Sequence, residues 1–180
     1  LYLLREGVNK EDTGKIEEVC EKADISISYK EGEQIVLLNG ENVNGLIRTE
    51  EVGNMASVSS PNPKVREKLV QLQKELAKKT DVVMDGRDIG TCVLPGADVK
   101  VYLTASTRVR ARRRFDELQA KGVSCDIGQI ERDIASRDEE DMNRPIAPLK
   151  QAEDAVLIDS SEMGIEDVVK AILDLCQDKK

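Results

Sequence analysis

Three polar residues follow directly after the apolar run Val82–Met84, and their types suit the binding of a charged ligand. They are Asp85, Arg87 and Asp88. The run does not alternate with polar residues, which is typical of a strand buried on both faces of a parallel sheet. Because ligands of such sheets bind beyond the carboxyl ends of the strands, we interpret these residues as part of a binding site rather than as a turn with one ion pair.

Five arginines lie within one predicted helix that follows the next strand. At about 100° per residue, Arg110 and Arg113 share a sector with Arg114, whereas Arg108 and Arg112 point nearly the opposite way. Guanidinium forks match the geometry of phosphate oxygens. We therefore predict that Arg110 and Arg113 contact phosphate, and that Arg108 and Arg112 belong to a solvated face.

The last cationic segment runs from Arg137 to Arg144 and is followed by Pro145. By itself this segment fits a salt-bridged helix end that proline terminates. The polar stretch 121–129 before it contains Gly122 and Gly128 as possible hinges. It predicts a mobile lid with arginines at both ends, which would exclude water from phosphoryl transfer. Three cationic elements around one strand end predict a site for a polyanion, most simply phosphate groups.

The composition excludes several classes of site. The 180 residues include no histidine, which excludes Ser-His-Asp and Cys-His catalysis and most zinc sites. We identify no metal ligands in the sequence. There is no tryptophan and one phenylalanine, and the net charge is −8, so we expect no nucleic-acid polymer as partner.

The chain also lacks the patterns of membrane and secreted proteins. No window approaches the roughly 20 apolar residues of a membrane span, and no signal peptide is evident. The four cysteines are far apart in the sequence, and we expect reduced thiols. These features predict a cytoplasmic, monomeric globular protein without a membrane partner.

Local patterns predict the elements that would position these residues. Residues 25–43 contain alternating apolar and polar side chains, and Asn39-Gly40 is a strong hairpin signal. They predict a small antiparallel sheet of about three strands. Asn62-Pro63 predicts a helix start with asparagine as the N-cap. Apolar runs that each precede a helical pattern predict an α/β fold with a parallel sheet. These runs are 82–84, 99–103 and 155–158.

One common phosphate-binding motif is missing from the sequence. Nothing matches G-x-x-x-x-G-K-[ST], the loop that cradles nucleotide phosphates. Gly14-Lys15 is excluded because Asn9 stands where the first glycine would fall and Ile16 follows the lysine. We therefore expect such a loop to precede Leu1.

The order and spacing of several motifs resemble those of the bacterial cytidylate kinases. The most specific are residues 47–52 and 85–91. The resemblance covers nearly the whole chain. The further motifs are Ala56-Ser57, residues 64–67, Arg113-Arg114, Arg137-Asp138, Asn143-Arg144 and Ala147-Pro148-Leu149.

This resemblance implies the α/β fold of a P-loop kinase. Such a fold has a parallel-sheet core, here incomplete because its first strand and P-loop are expected to lie upstream, a small antiparallel β insert and a helical lid. Residues 1–24 would be the helical remainder of the nucleotide-binding region, and residues 25–60 the insert that binds the nucleoside monophosphate. Residues 61–114 and 145–180 would form the α/β core, and residues 115–144 the lid.

The resemblance also implies which residues bind CMP. Ser57, Arg66 and Asp88 would read the cytosine, which offers an amino donor to a carboxylate and acceptors to an arginine. Arg87 would bind the monophosphate. Four arginines would form the catalytic set, of which the first two would also contact ATP from the root of the lid. They are Arg110, Arg113, Arg137 and Arg144. Arg137 and Asp141 would contact the sugar, with Arg144 near both sugar and phosphate.

The implied reaction is phosphoryl transfer from ATP to CMP or dCMP, with Mg²⁺ accompanying ATP and with no protein ligand for it identified here. Without an upstream phosphate loop, we expect this chain alone to be inactive. Two alternatives stay open: a CMP-binding or regulatory module without catalysis, and a P-loop kinase with another acceptor.

Overall fold

The computed structural model describes residues 1–177, which form seven α-helices and five strands in two compact units. The first unit ends at Val82 and the second begins at Val83. The helices are α1 (Tyr2–Arg5), α2 (Thr13–Lys22), α3 (Glu50–Ser59), α4 (Pro63–Lys79), α5 (Thr107–Ala120), α6 (Ile127–Asn143) and α7 (Ile165–Gln177). The strands are β1 (Ile25–Lys30), β2 (Glu33–Leu38), β3 (Glu41–Asn42), β4 (Val101–Thr104) and β5 (Val156–Asp159).

The antiparallel sheet predicted for residues 25–43 is confirmed. Strand β2 lies in the middle, with Ile25 opposite Leu38 on one side and Leu37 opposite Asn42 on the other. The second hairpin turns at Asn39 and Gly40, whose φ angles are +50° and +81°. Glycine and asparagine tolerate this left-handed region, which explains why Asn-Gly predicts the turn correctly.

The helices of the first unit pack around a small apolar core. α2 begins where the Asp12 side chain accepts a hydrogen bond from the Lys15 amide at 2.9 Å. α4 begins as predicted, with the Asn62 side chain accepting from the Lys64 and Val65 amides at 3.0 and 3.4 Å. These starts place apolar side chains of both helices in one core cluster. Its buried members are Leu3, Val8, Ile16, Val19, Cys20, Met55 and Val65.

The second unit contains a parallel sheet of β4 and β5, in which Val101 lies opposite Val156. The link between these strands includes α5 and α6, which pack against each other. At the amino ends of the strands, the Lys100 ammonium lies 2.7 and 2.9 Å from the Asp154 carboxylate oxygens, and the Lys100 side chain is 7% exposed. This ion pair between a buried lysine side chain and an exposed aspartate links the two strand starts. The mixed α/β architecture is consistent with a kinase core.

The strand predicted at Val82–Met84 is wrong. These residues are irregular, and the Val83 side chain is fully exposed. Within residues 1–177 the parallel sheet consists of β4 and β5, so the segment has no ladder partner there. An apolar run indicates a preference for burial, but a strand also needs a neighbouring backbone for its hydrogen bonds.

The boundaries of the predicted functional regions stay predictions. The structure divides the chain into two compact units, and this division does not test the finer boundaries. The proposed lid, residues 115–144, comprises the end of α5, the connecting loop and α6 with Arg144. Among the described residues, no helix has both the length and the apolar character that crossing a membrane requires.

Replacing Asn62 with alanine should destabilise the first unit. The change removes the acceptor that caps α4 and the side-chain amide that lies 3.3 Å from Glu17 Oε1. Loss of such a cap costs about 0.5–2 kcal/mol. We expect urea unfolding, followed by circular dichroism, to show that decrease in the free energy of unfolding.

Asn54→Ala is a suitable control, because Asn54 is exposed within α3. It should change the free energy of unfolding by less than about 0.5 kcal/mol. Equal losses in the two variants would contradict the capping role of Asn62.

Candidate functional site

The loop after Met84 leads into a single π-helical turn, Ile89–Val93, which begins next to Asp88. The Asp88 carbonyl accepts from the Cys92 amide at 2.8 Å, so this turn fixes the backbone of the aspartate. Gly86 is required for space, because a Cβ there would lie 2.9 Å from Ile89 Cγ1. The polar residues 85–88 thus occupy a compact, well-defined loop.

Asp141 of α6 binds an arginine of this loop. Arg87 Nε donates to Asp141 Oδ2 at 2.7 Å, and the Asp141 side chain is 17% exposed. Arg144, just beyond α6, places its guanidinium 3.5 Å from Asp88 Oδ1 and 3.7 Å from Asp141 Oδ1. These contacts bring together four residues that are predicted to bind one ligand.

Arg144 is positioned by its backbone surroundings as well as by charge. Its Nε donates to the Ala147 carbonyl at 2.6 Å. Its Nη2 atom is buried within the described part of the chain and forms no hydrogen bond there, although the Asp88 carboxylate lies at ion-pair distance. The Asp88 carboxylate therefore supplies a counter-charge to this buried nitrogen without a hydrogen bond.

Arg110 of α5 forms a bidentate ion pair with Asp138 of α6. Its Nη1 atom donates to Asp138 Oδ1 at 3.0 Å, its Nη2 atom donates to Oδ2, and its Nε donates to the Ala105 carbonyl at 3.0 Å. The hydrogen bond from Arg110 lowers the pKa of Asp138, while burial opposes that shift. The charges of Arg87 and Arg137 lower the pKa further, which places these arginines in the field of the same carboxylate.

Arg113 lies one turn further along α5 and contacts the segment after β5. Its guanidinium donates to the Ser160 carbonyl at 2.6 Å, to Ser160 Oγ at 3.2 Å and to the Met163 carbonyl at 3.2 Å. Ser160 is buried, and its hydroxyl donates to the Thr104 carbonyl at 3.0 Å. Arg113 therefore joins α5 to the carboxyl ends of both parallel strands.

The contacts agree with the predicted face of α5 for Arg110 and Arg113, but Arg114, which was predicted in the same sector, is exposed and pairs with Glu117 of its own helix at 2.8 Å. Arg110 and Arg113 make tertiary contacts, whereas Arg108 is exposed. Arg112 pairs with Asp116 on the same helix, at 3.1 Å. The contacts of Arg110 and Arg113 with phosphate stay predictions.

Ser57 and Arg66, which the resemblance assigns to cytosine, lie in the first unit. Ser57 is exposed on α3, and its carbonyl accepts from Ser60 Oγ at 3.0 Å. Arg66 is half-buried on α4. The second unit contains the other predicted site residues, of which Arg137 is exposed on α6. The roles of all these residues stay predictions.

Sequence reasoning assigned no role to Asp138. The residue lies one helical turn before Asp141, and both carboxylates bind an arginine from another element. An i, i+3 spacing places both side chains on one helix face, which is the signal that could have identified Asp138. No group of three potential metal-ligating side chains occurs in residues 1–177.

Comparison with known proteins identifies similar chains along almost the whole length. The family model described as cytidylate kinase matches residues 1–178. Proteins named cytidylate kinase from Caldicellulosiruptor bescii and Caldicellulosiruptor saccharolyticus are each 47% identical over 97% of this chain and 77% of their own length. A protein of the same name from Shouchella clausii is 45% identical over 97% of this chain and 78% of its own length.

The Arg110–Asp138 pair should make stability depend on pH in the acid range. A carboxyl whose pKa is lowered by folding stabilises the protein above its unfolded pKa, and this contribution is lost as the pH falls through the folded pKa. We expect Asp138→Asn to be less stable than the unmodified protein above about pH 5, and the difference to shrink in stronger acid. Thermal melts at several pH values measure this difference in stability between the two proteins. A difference that does not change with pH would contradict this account.

Arg113→Ala should lower the melting temperature, because it leaves the Ser160 and Met163 carbonyls without their guanidinium donor. Hydrogen bonds to a charged group contribute about 1.5–3 kcal/mol. Arg113→Lys should recover part of the loss, since an ammonium donates from a single atom. Arg108→Ala, at an exposed position of the same helix, should melt like the unmodified protein in differential scanning calorimetry. Similar melting of the Arg113→Ala and Arg108→Ala variants would argue against the role of Arg113.

Proposed function

Because this chain belongs to the cytidylate kinase family, we propose that it transfers the γ-phosphoryl group of ATP to CMP or dCMP, giving CDP or dCDP. The observation that carries the proposal is the set of arginines held by carboxylates in the second unit. Arg87, Arg110 and Arg144 come from three different segments, and each lies against an aspartate. Two oxygens of a phosphate accept hydrogen bonds from a guanidinium group in the same bidentate manner as the two oxygens of a carboxylate.

The reaction needs no histidine. The nucleophile is a phosphate oxygen of CMP, which is substantially ionised at neutral pH because the second pKa of a phosphate monoester is about 6. No side chain has to remove a proton. Catalysis then depends on holding the two phosphates in line and on stabilising charge in a loose transition state, which fixed arginines do well.

We assign the residues of the second unit to parts of CMP. Arg87 binds the monophosphate, and Asp88 accepts a hydrogen bond from the cytosine amino group. Arg144 lies between sugar and phosphate, because its guanidinium is next to both Asp88 and Asp141. Arg137 and Asp141 bind the sugar. For Ser57 and Arg66, the support is the resemblance, which assigns both to the cytosine ring.

Two arginines of α5 are assigned to the ATP side. Arg110 is assigned as the cation that faces the transferring phosphoryl group, because the bidentate pair with Asp138 fixes its guanidinium. Arg113 acts on the same side by fastening the segment that contains Ser160 and Met163, to which its guanidinium donates three hydrogen bonds. Both assignments agree with their position at the root of the predicted lid.

ATP-dependent transfer in such kinases generally uses Mg²⁺, and the described residues do not form a site for it. No three acidic, histidine or cysteine side chains group as ligands there, and the cluster carboxylates are held by arginines. We therefore propose that Mg²⁺ arrives with the phosphates of ATP.

The comparisons do not favour the two alternative functions, because the family and the relatives carry the name of a kinase acting on cytidylate. An assay for ADP production, with the protein as its gene encodes it, tests the proposal directly. CMP and dCMP should support turnover, whereas UMP and AMP should support much less. CMP binding without ADP production would indicate a binding module, and preference for another acceptor would indicate a different kinase.

Asp88→Ala should weaken CMP binding far more than ATP binding. The variant leaves the cytosine amino group without its charged acceptor, which costs about 1.5–3 kcal/mol, or about 10- to 150-fold in Kd. Isothermal titration calorimetry with each nucleotide measures both constants.

Asp98→Ala is the matched control, since Asp98 is an exposed carboxylate of the same unit outside the cluster. It should bind both nucleotides like the unmodified protein. If Asp88→Ala weakens ATP and CMP binding equally, Asp88 supports the fold instead of reading the base.

A further inference from the structure

Arg110 is held from two sides in a way that leaves part of its guanidinium open. The Ala105 carbonyl accepts a hydrogen bond from Nε, and the Asp138 carboxylate accepts one from each terminal nitrogen. Thr107 Oγ1 lies 3.5 Å from Nη2. Among residues 1–177, one N–H of Nη1 has no further protein acceptor and is available to a ligand oxygen.

We propose that Asp138 is a positioning residue that orients the Arg110 guanidinium for phosphoryl transfer, an inference that rests on the function proposed above. An arginine side chain has several rotatable bonds, and ordering it costs up to about 2 kcal/mol. The bidentate pair fixes both the position and the plane of the guanidinium. That ordering is then already complete when ATP binds, which is the condition for effective electrostatic stabilisation.

Asp138 also offsets the repulsion between neighbouring cations. Arg110 pairs directly with its carboxylate, and the charges of Arg87 and Arg137 also lower the pKa of Asp138. The Asp138 side chain is 18% exposed, which limits screening by water. Without this charge, Arg110 would be driven away from the other two arginines and toward solvent.

Two other roles for the pair make different predictions. The pair could be only a clasp between α5 and α6, in which case its loss lowers stability and leaves the chemistry intact. Alternatively, Asp138 could restrain Arg110 until ATP replaces it, in which case its loss strengthens ATP binding. A positioning residue differs from both, because its loss lowers kcat while the affinity for CMP stays nearly constant.

The test measures kcat, KM for both nucleotides and melting temperature for the unmodified protein and four variants, each in the form that the gene encodes. For Asp138→Asn we expect a fall in kcat on the order of 10- to 100-fold, as for a misplaced catalytic group, with KM for CMP changed less than about threefold. Asp138→Glu keeps the carboxylate and should recover part of kcat. Glu117→Gln, which removes an exposed carboxylate paired with Arg114 on α5, should keep full activity.

The fourth variant exchanges the partners, Arg110→Asp with Asp138→Arg. This exchange restores the ion pair between α5 and α6 but moves the cation to α6. We expect kcat to stay low, because the cation assigned to the phosphoryl group no longer projects from α5. Recovery of kcat in the exchanged protein would overturn the inference in favour of a clasp.

Other outcomes separate this inference from the function on which it rests. Normal kcat in Asp138→Asn overturns the inference, and so does a lower KM for ATP with unchanged or higher kcat. If the unmodified protein produces no ADP with CMP, the proposed function fails and the inference fails with it. Calorimetry of CMP binding to the unmodified protein then shows whether the site itself binds the nucleotide.

Discussion

The second unit depends on two carboxylates of one helix, Asp138 and Asp141, which each hold an arginine from a different part of the chain. Arginines gathered near each other repel strongly where water is partly excluded, so they need fixed counter-charges. A single turn of α6 supplies two of them. The orientation of α6 therefore determines where Arg87 and Arg110 point, and Arg144 follows because it directly succeeds the helix.

The parallel strand pair provides the support for this arrangement. Lys100 and Asp154 join the amino ends of the strands, and Arg113 with Ser160 joins their carboxyl ends to α5. A two-stranded sheet has few backbone hydrogen bonds of its own, so these side-chain contacts contribute to the stability of the strand pair. Since α5 carries both Arg110 and Arg113, the hydrogen bonds of Arg113 at the strand ends also help to fix the position of Arg110.

Internal pairing suits an acidic protein that has to bind small polyanions selectively. With a net charge of −8, the chain does not attract anions from a distance, and Arg87, Arg110 and Arg144 each lie against a carboxylate. The proposed nucleotide would compete with these pairs by presenting several phosphate oxygens at once. On that proposal, local geometry contributes more to binding than bulk charge.

The sequence by itself determined the features that depend on neighbouring residues. The Asn62 cap, the Asn39-Gly40 hairpin and the common face of two arginines on α5 all follow from interactions within about four positions, and the motif order identified the family. Only the tertiary structure decided which partners meet. The Arg110–Asp138 and Arg87–Asp141 pairs span 28 and 54 positions, and no local pattern encodes such contacts.

The same distinction explains the failures. The apolar run Val82–Met84 suggested a strand, but strands form only where another backbone supplies hydrogen bonds, and the described sheet supplies none. The sequence placed Arg113 on the correct face of α5 without indicating that its guanidinium binds the carbonyls of Ser160 and Met163. Backbone acceptors carry no signature in side-chain identity, so contacts with them emerge only when the chain is folded.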